Sequence, residues 1–364
     1  MPILLRTFIF TVTLALGLAA CSGTPPSNGG TEKTPLVVFA AGSLIQPFDD
    51  LEKAFEAKYP NIDVLPEYHG SIQVIRHATE LREPIDVVAT ADASLIPMLM
   101  YDVNDPDTGL PYADWYIRYA SNHLALAYNE DSKYADEINA DNWVEILSRP
   151  DVKVGIPDPR FDAAGYRGLM AVALDEERAK TYGMFEVFVD GQFTFEPTIF
   201  RDDDLTTITV PEILETSSGA HLVLRGASIQ LIALLESGDL DYAFEYESVI
   251  DQHGLELLHL PDEVNLGEET FENLYNRVQV NLDFQRFASV KPEFRGERIG
   301  YGITIPSSAL HPDEAALFIA FLLSPEGHAI MEANHHPMFE VPLGDGYANM
   351  PAALQSISAP AEKP

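Results

Sequence analysis

The sequence has little of three things: cysteine, positive charge and long hydrophobic runs. Cys21 is the only cysteine among 364 residues, so the chain cannot form an internal disulfide. Lysine and arginine total 22 against 57 aspartate and glutamate residues, which gives a formal net charge of −35 at pH 7. Nucleic-acid binding needs a basic surface, so this balance argues against it. An anionic ligand would have to be held by local, oriented donors, because the long-range field repels it.

Sequence signatures of hydrolytic enzymes are also missing. The chain contains no G-x-S-x-G, no H-E-x-x-H and no potential cysteine nucleophile other than Cys21. We therefore expect a protein that is not an enzyme and that carries no cofactor. A secreted hydrolase that uses two carboxylates as acid and base is the alternative.

The N-terminal stretch predicts export. Residues 1–20 have one charged side chain, Arg6, and an apolar run from Phe8 to Ala20 that is too short for a comfortable membrane span. The run ends in Leu18-Ala19-Ala20-Cys21, which resembles a bacterial lipobox. We predict a signal peptide over 1–20, lipidation of Cys21 and an extracytoplasmic protein anchored to the cell membrane, in a periplasm or on the outer surface. The alternative is a cleaved signal or a signal anchor with an incidental cysteine.

A strand, a turn of small residues and a helix follow one another three times. The free N–H groups at a helix start bind anions, because the unpaired donors and the positive end of the helix dipole coincide. Glycine lets the backbone approach a ligand closely, and serine adds a hydroxyl donor. An ordinary turn with a serine N-cap is the alternative. The turns are Gly42-Ser43 after Leu36–Phe39, Gly70-Ser71 after Asn61–Tyr68, and Gly226-Ala227-Ser228 after Leu222–Leu224.

Two further segments carry acidic residues beside predicted elements. The loop Pro157–Arg167 contains Asp162 and leads into a predicted helix, Gly168–Ala179, whereas Glu245 lies in the predicted strand Asp241–Tyr246. In the order of the chain, the segments AAGSL, HGS, DVVATAD, DPRFDAAGYR, SGDLDYAFEYES, YGITIP and FLLSPEGHAIM resemble the substrate-binding proteins of tungstate/molybdate ABC transporters. The closest branch is the one first associated with archaea. The D-x-x-G-Y-R motif followed by DYAFEY is the specific part of this resemblance.

The resemblance implies a type II periplasmic binding protein. This is an α/β fold with two lobes of mixed sheets flanked by helices, joined by two crossing strands, with the ligand in the cleft. Lobe I would comprise residues 36–119 and 278–345 and lobe II residues 120–277, between a flexible tether at 21–35 and a flexible tail at 346–364. The protein would act as a monomer that closes over tungstate or molybdate and delivers it to an ABC permease. The stretch Thr181–Ser218 carries no functional motif.

The resemblance also implies the ligand-binding residues. Ser43 and Ser71 would donate hydrogen bonds to the oxyanion, while Asp162 and Glu245 would approach its metal centre. Tungsten(VI) and molybdenum(VI) can expand from four to six oxygen ligands and sulfur cannot, so two carboxylates would select against sulfate and phosphate. Where the family often has Asp-Pro-Cys or Asp-Pro-Ala, this chain has Asp162-Ala163-Ala164. The remaining implied residues are Tyr246, the backbone around Ala227, and, in supporting positions, Gly42, Gly70 and Arg167.

Several alternatives stay open on the sequence alone. Asp162 could simply cap the following helix, and Glu245 could pair with Arg167. The histidines His328 and His335-His336 are interpreted as solvated residues at a helix end rather than as a metal site. A binding protein of the same fold for sulfate, phosphate, iron or a small organic anion is the nearest functional alternative.

Overall fold

The computed structural model of the protein describes residues 33–283 and 292–361. The predicted signal peptide, Cys21 and residues 21–32 of the predicted tether lie outside the described residues. Within them no single helix is long and apolar enough to cross a membrane, although one pair of helices, Pro312–Leu322 and Pro325–Ala333, meets that test together while bent by 65°.

Sixteen strands within the described residues form three sheets. In chain order they are β1 (Thr34–Ala41), β2 (Ile62–His69), β3 (Val87–Thr90), β4 (Tyr116–Ala120), β5 (Leu124–Tyr128), β6 (Val154–Pro157), β7 (Thr198–Arg201), β8 (Thr206–Pro211), β9 (Leu222–Arg225), β10 (Tyr242–Tyr246), β11 (Glu256–His259), β12 (Val278–Asp283), β13 (Glu293–Arg295), β14 (Tyr301–Thr304), β15 (Met338–Asp345) and β16 (Ala359–Pro360).

The three sheets are mixed. The first has the order β16-β15-β4-β14-β3-β1-β2, the second β11-β5-β10-β6-β9, and the third β13-β12-β8-β7. In the first sheet β1 runs parallel to β2 and β3, with register pairs such as Ala40 with Tyr68. The apolar stretch of β1 explains its place between two neighbours, because Leu36, Val38 and Ala40 are fully buried.

Helices of the described residues pack around these sheets. The long α4 contacts β6, β10 and β12, and it is buried along most of its length. Shorter turns are the 3₁₀ segments Gly42–Leu44, Glu269–Phe271 and Tyr347–Asn349 and the π-helical Pro97–Tyr101. In chain order the helices are α1 (Ile45–Lys58), α2 (Ser71–Thr79), α3 (Trp143–Leu147), α4 (Ala163–Ala179), α5 (Met184–Val189), α6 (Ile229–Glu236), α7 (Glu247–His253), α8 (Glu272–Tyr275), α9 (Pro312–Leu322), α10 (Pro325–Ala333) and α11 (Ala352–Gln355).

Two expectations about individual elements need correction. The helix predicted from Gly168 begins at Ala163, because Asp162 caps it and the small residues that resembled a loop form its first turn. The strand β12, predicted to cross back into lobe I, pairs instead with β8 and β13 in the third sheet. The chain enters the first sheet again only at β14.

The predicted flexible tail is also wrong for residues 346–361. This segment contains the turn Tyr347–Asn349, α11 and β16, which pairs with β15. Met350 and Leu354 are buried and anchor the segment. Thr181–Ser218 supplies β7 and β8 of the third sheet, and it also contains α5. The division into two lobes stays a prediction.

Candidate functional site

Two of the predicted serines lie in the turns after β1 and β2. Ser43 is in the 3₁₀ turn between β1 and α1, and Ser71 is the first residue of α2. Both side chains are buried. The Ser43 hydroxyl oxygen accepts a hydrogen bond of 2.9 Å from the Tyr301 hydroxyl. The Ser71 hydroxyl oxygen accepts one of 3.0 Å from the backbone N–H of Ala91, in the loop after β3.

Asp162 joins two helix starts. Its Oδ1 accepts a hydrogen bond of 2.9 Å from the N–H of Ala164 and caps α4, as the alternative from the sequence proposed. Its Oδ2 accepts a bond of 3.0 Å from the N–H of Ser228, which lies immediately before α6. Burial raises the pKa of this carboxyl, while the two N–H groups and the charge of Arg167 oppose the increase.

Glu245 is the least satisfied polar residue of the site. It lies near the end of β10 and is 1% exposed. Its Oε1 accepts a hydrogen bond of 2.8 Å from the N–H of Tyr246, whereas Oε2 is buried and makes no hydrogen bond of normal geometry with the described residues. Burial raises the pKa of this carboxyl to about 8, and the charge of Asp162 adds to the increase. The N–H of Tyr246 and the nearby Ser228 hydroxyl act in the opposite direction.

Arg167 does not pair with Glu245. Its Nη2 lies 3.2 Å from Oδ2 of Asp92, which also accepts a hydrogen bond of 2.5 Å from the Tyr166 hydroxyl. The Nη1 group of Arg167 donates to the carbonyl of Ala91 at 2.7 Å and to the Tyr246 hydroxyl at 2.6 Å. Arg167 therefore ties α4 to the loop after β3 and orients Tyr246, rather than contacting either predicted metal-binding carboxylate.

The turns from the first and second sheets meet at Gly70. A Cβ atom added to Gly70 would lie 2.4 Å from the carbonyl oxygen of Phe161 and 3.1 Å from that of Gly226. The N–H of Ile72 donates to the same Phe161 carbonyl at 3.0 Å. The start of α2, which carries Ser71, thus contacts the backbone beside Asp162. At Gly42 an added Cβ would lie 3.1 Å from the Ile229 side chain of α6.

The structure thus brings the three predicted turns, Asp162 and Glu245 to one place. Ala227 is buried, and its carbonyl accepts a hydrogen bond from the N–H of Gln230. In that turn it is Ser228, not the predicted Ala227, whose backbone bonds to Asp162. Cys21, the predicted lipidation site, lies outside the described residues.

Four residues of the site were not predicted. Ser228 follows the third turn and Asp92 ends the DVVATAD segment, so both stood beside signals that the sequence offered. Asn122 and Tyr301 bear on the site through a hydrogen-bond chain that reaches Ser43. No local pattern singles them out, because Tyr301 is 258 positions from Ser43.

The histidines form no metal site in the part of the chain that the structure describes, which contains no group of three or more metal-ligating side chains. The interpretation of the histidine pair as solvated is wrong for His336, which is fully buried, whereas His335 is exposed. The His336 ring lies edge-on to the ring of Tyr301, with 5.3 Å between centroids.

Comparison with known proteins assigns the chain to a family. Residues 36–335 match the family described as "Bacterial extracellular solute-binding protein". The chain is 37% identical over 354 residues to an uncharacterized solute-binding protein of Methanoculleus marisnigri, and the match covers 95% of each chain. It is 34% identical over 355 residues to the molybdate/tungstate-binding protein WtpA of Thermococcus kodakarensis, covering 94% of this chain and 93% of the relative. The resemblance stated from the sequence is confirmed.

Solved structures agree on the fold. The periplasmic molybdate-binding protein of Azotobacter vinelandii aligns with a TM-score of 0.50 at 14% identity, covering 84% of this chain and 100% of that chain. The sulfate-binding protein SubI of Mycobacterium tuberculosis aligns with a TM-score of 0.53 at 14% identity, covering 84% and 88%. The predicted type II periplasmic binding protein fold is confirmed. Members of this family are substrate-binding proteins rather than enzymes, and the chain belongs to the family of bacterial extracellular solute-binding proteins.

Proposed function

We propose that the protein binds tungstate or molybdate outside the cytoplasm. The observation that carries the proposal is the buried carboxylate pair, Asp162 and Glu245, in segments that contact the turns carrying Ser43 and Ser71. The similarity to a relative named as a molybdate/tungstate-binding protein supports the same ligand class.

The negative charge of the two carboxylates makes binding selective among oxyanions. A carboxylate beside a bare dianion is repelled, and burial strengthens that repulsion because the local dielectric is low. The contact becomes favourable when a carboxylate oxygen bonds the central atom of the anion or carries a proton. Oε2 of Glu245 makes no hydrogen bond of normal geometry with the described residues and is available to do so. Tungsten and molybdenum accept additional oxygen ligands and sulfur does not, which makes the pair selective.

The wider role follows from the family. We propose that the protein is a monomer that delivers its ligand to an ABC permease, and that lobe closure holds the anion between the two sides of the site. Lipidation of Cys21 would anchor the protein to the membrane, and the segment before Lys33 would act as a tether.

The test compares Glu245→Gln with the native protein by isothermal titration calorimetry against tungstate, molybdate and sulfate. We expect tight 1:1 binding of the first two by the native protein and no heat from sulfate. Glu245→Gln should weaken tungstate binding by roughly a hundredfold or more. Loss of a group that only supports a metal ligand already costs about 10- to 100-fold, and Glu245 is proposed to be a ligand itself. Glu256→Gln, on the exposed edge strand β11 of the same sheet, is the matched control and should bind like the native protein.

Three outcomes would contradict the proposal. Equal losses of tungstate and sulfate affinity in Glu245→Gln would refute selection by metal bonding. Strong heat from sulfate or phosphate with the native protein would reassign the ligand. If no oxyanion gives heat of binding, the ligand would be iron or an organic anion. A hydrolytic role for Asp162 and Glu245 would then be tested by an activity assay.

A further inference from the structure

A buried chain of hydrogen bonds leads away from the Ser43 hydroxyl. The Tyr301 hydroxyl donates to Oγ of Ser43 at 2.9 Å, and Nδ2 of Asn122 donates to the Tyr301 oxygen at 3.1 Å. The same Nδ2 donates to Oγ of Ser248 at 2.7 Å, and that hydroxyl lies 3.4 Å from Nε2 of His336. All five residues are at least nine-tenths buried.

The backbone fixes the direction of this chain at Asn122. Its Oδ1 accepts hydrogen bonds from two backbone N–H groups, that of His123 at 3.0 Å and that of Ser248 at 3.4 Å. The amide nitrogen must therefore face Tyr301, and an NH₂ group can only donate. The Tyr301 oxygen accepts that bond, so the single proton of Tyr301 goes to Ser43.

The hydrogen bonds at His336, the other end of the series, require the same donor-to-acceptor direction. Nδ1 of His336 lies 3.1 Å from the carbonyl of Asn334, which can only accept, so Nδ1 carries a proton. Burial lowers the pKa of His336 to about 4, which keeps the ring neutral and leaves Nε2 as an acceptor. The Ser248 hydroxyl then donates to His336 and accepts from Asn122.

We infer that Asn122 and Tyr301 are positioning residues that make the Ser43 hydroxyl a donor to the ligand. Ser43 already accepts from Tyr301, and its own proton has no acceptor within the described residues, so the proton is available to an oxygen of the bound anion. Ser71 is held in the same way by the N–H of Ala91. The inference rests on the proposed function, because it assumes an oxyanion that accepts hydrogen bonds at this site.

Two substitutions act on the chain in different ways. Tyr301→Phe keeps the ring but removes the donor to Ser43, and we expect tungstate affinity to fall about five- to tenfold, the usual effect of one hydrogen bond. Asn122→Asp replaces the NH₂ group by an acceptor, so Tyr301 would donate to residue 122 and accept from Ser43. The Ser43 proton would then turn away from the ligand, and we expect a loss of roughly a hundredfold.

A double-mutant cycle with Ser43→Ala separates positioning from a general structural effect. If Tyr301 acts through Ser43, Tyr301→Phe should change the affinity of the Ser43→Ala protein by less than about twofold. The same background reveals the part of the Asn122→Asp effect that comes from added negative charge. Tyr119→Phe is the matched control. Its buried hydroxyl has no hydrogen-bond partner among the described residues, and its ring packs edge-on to Tyr301 at 6.3 Å, so affinity should be unchanged.

The affinities are measured by calorimetry on the full chain with sodium tungstate, and thermal melting confirms that each variant folds. An unchanged affinity in Tyr301→Phe, or an equal loss with and without the Ser43 hydroxyl, would overturn the inference while leaving the proposed function intact. If the native protein binds sulfate or phosphate instead of tungstate, the proposed ligand is wrong and the same cycle is run with that anion. If it binds no oxyanion, both proposals fail.

Discussion

Glu245 differs from the two serines and from Asp162 in how far the protein itself satisfies its polar atoms. Ser43, Ser71 and Asp162 each accept hydrogen bonds from fixed partners, and Asp162 uses both oxygens. Glu245 has one oxygen paired and one buried without a partner among the described residues. An unsatisfied buried polar atom is costly, so it survives where something else supplies its partner. The serine side is built for orientation, whereas Glu245 is left to be completed by the ligand.

We expect the largest effect in the pH dependence of the stability of the ligand-free protein, which depends on Glu245. The pKa of Glu245 is raised from 4.5 to about 8 in the folded protein, so the folded state keeps a proton that the unfolded state has released. Stability of the ligand-free protein should therefore fall as pH rises from about 5 to 8, by roughly 1.4 kcal/mol per pH unit for this one group. Glu245→Gln removes the dependence and should melt at a higher temperature than the native protein at pH 8.

The measurement is the difference in melting temperature between Glu245→Gln and the native protein at several pH values without ligand. Asp162, whose pKa is shifted in the same direction, is present in both proteins, so only its interaction with Glu245 remains in the difference. A difference that does not grow between pH 5 and 8 would show that Glu245 is not held protonated by burial.

A second prediction breaks the contact between the two sides. Gly70→Ala would place a Cβ atom 2.4 Å from a backbone oxygen that cannot move aside easily, that of Phe161. Such overpacking costs about 3 kcal/mol, so we expect tungstate affinity to fall roughly a hundredfold because the start of α2 must separate from the Asp162 loop.

Two other glycines of the same turns provide the controls in calorimetry. At Gly42 an added Cβ meets only the Ile229 side chain, at 3.1 Å, and at Gly226 the nearest atom is 3.8 Å away. Gly226→Ala should bind tungstate with native affinity, and the affinity of Gly42→Ala should lie between those of Gly226→Ala and Gly70→Ala. Normal affinity in Gly70→Ala would mean that this contact is absent from the ligand-bound protein.

The sequence predicted those parts of the site whose residues are neighbours in the chain. A strand, a small-residue turn and a helix are contiguous in the chain, so the positions of Ser43 and Ser71 followed from the pattern. Asp162 and Glu245 were indicated by the resemblance to tungstate/molybdate-binding proteins. The start of α4 was misplaced because Gly165 weakens the helical signal of Ala163 and Ala164, and the cap by Asp162 fixes the first residue of the helix.

What the sequence missed depends on contacts between distant segments. The partner of Arg167 is Asp92, 75 positions away, and periodicity says nothing about which carboxylate a buried guanidinium will meet. The order of residues 346–361 likewise depends on the packing of α11 against α9, which a small, polar composition does not reveal.

The smallest expected effect concerns the serine side alone. Ser71→Ala removes one donor to the ligand and leaves the N–H of Ala91 without its partner, so tungstate affinity should fall about fivefold, or about 1 kcal/mol. The Ala91 carbonyl remains fixed by Arg167, which limits movement of the loop. Calorimetry of this variant beside Ser237→Ala, an exposed serine after α6, provides the comparison. A loss as large as that in Glu245→Gln would contradict the division of roles, because the serines would then supply binding strength and not only orientation.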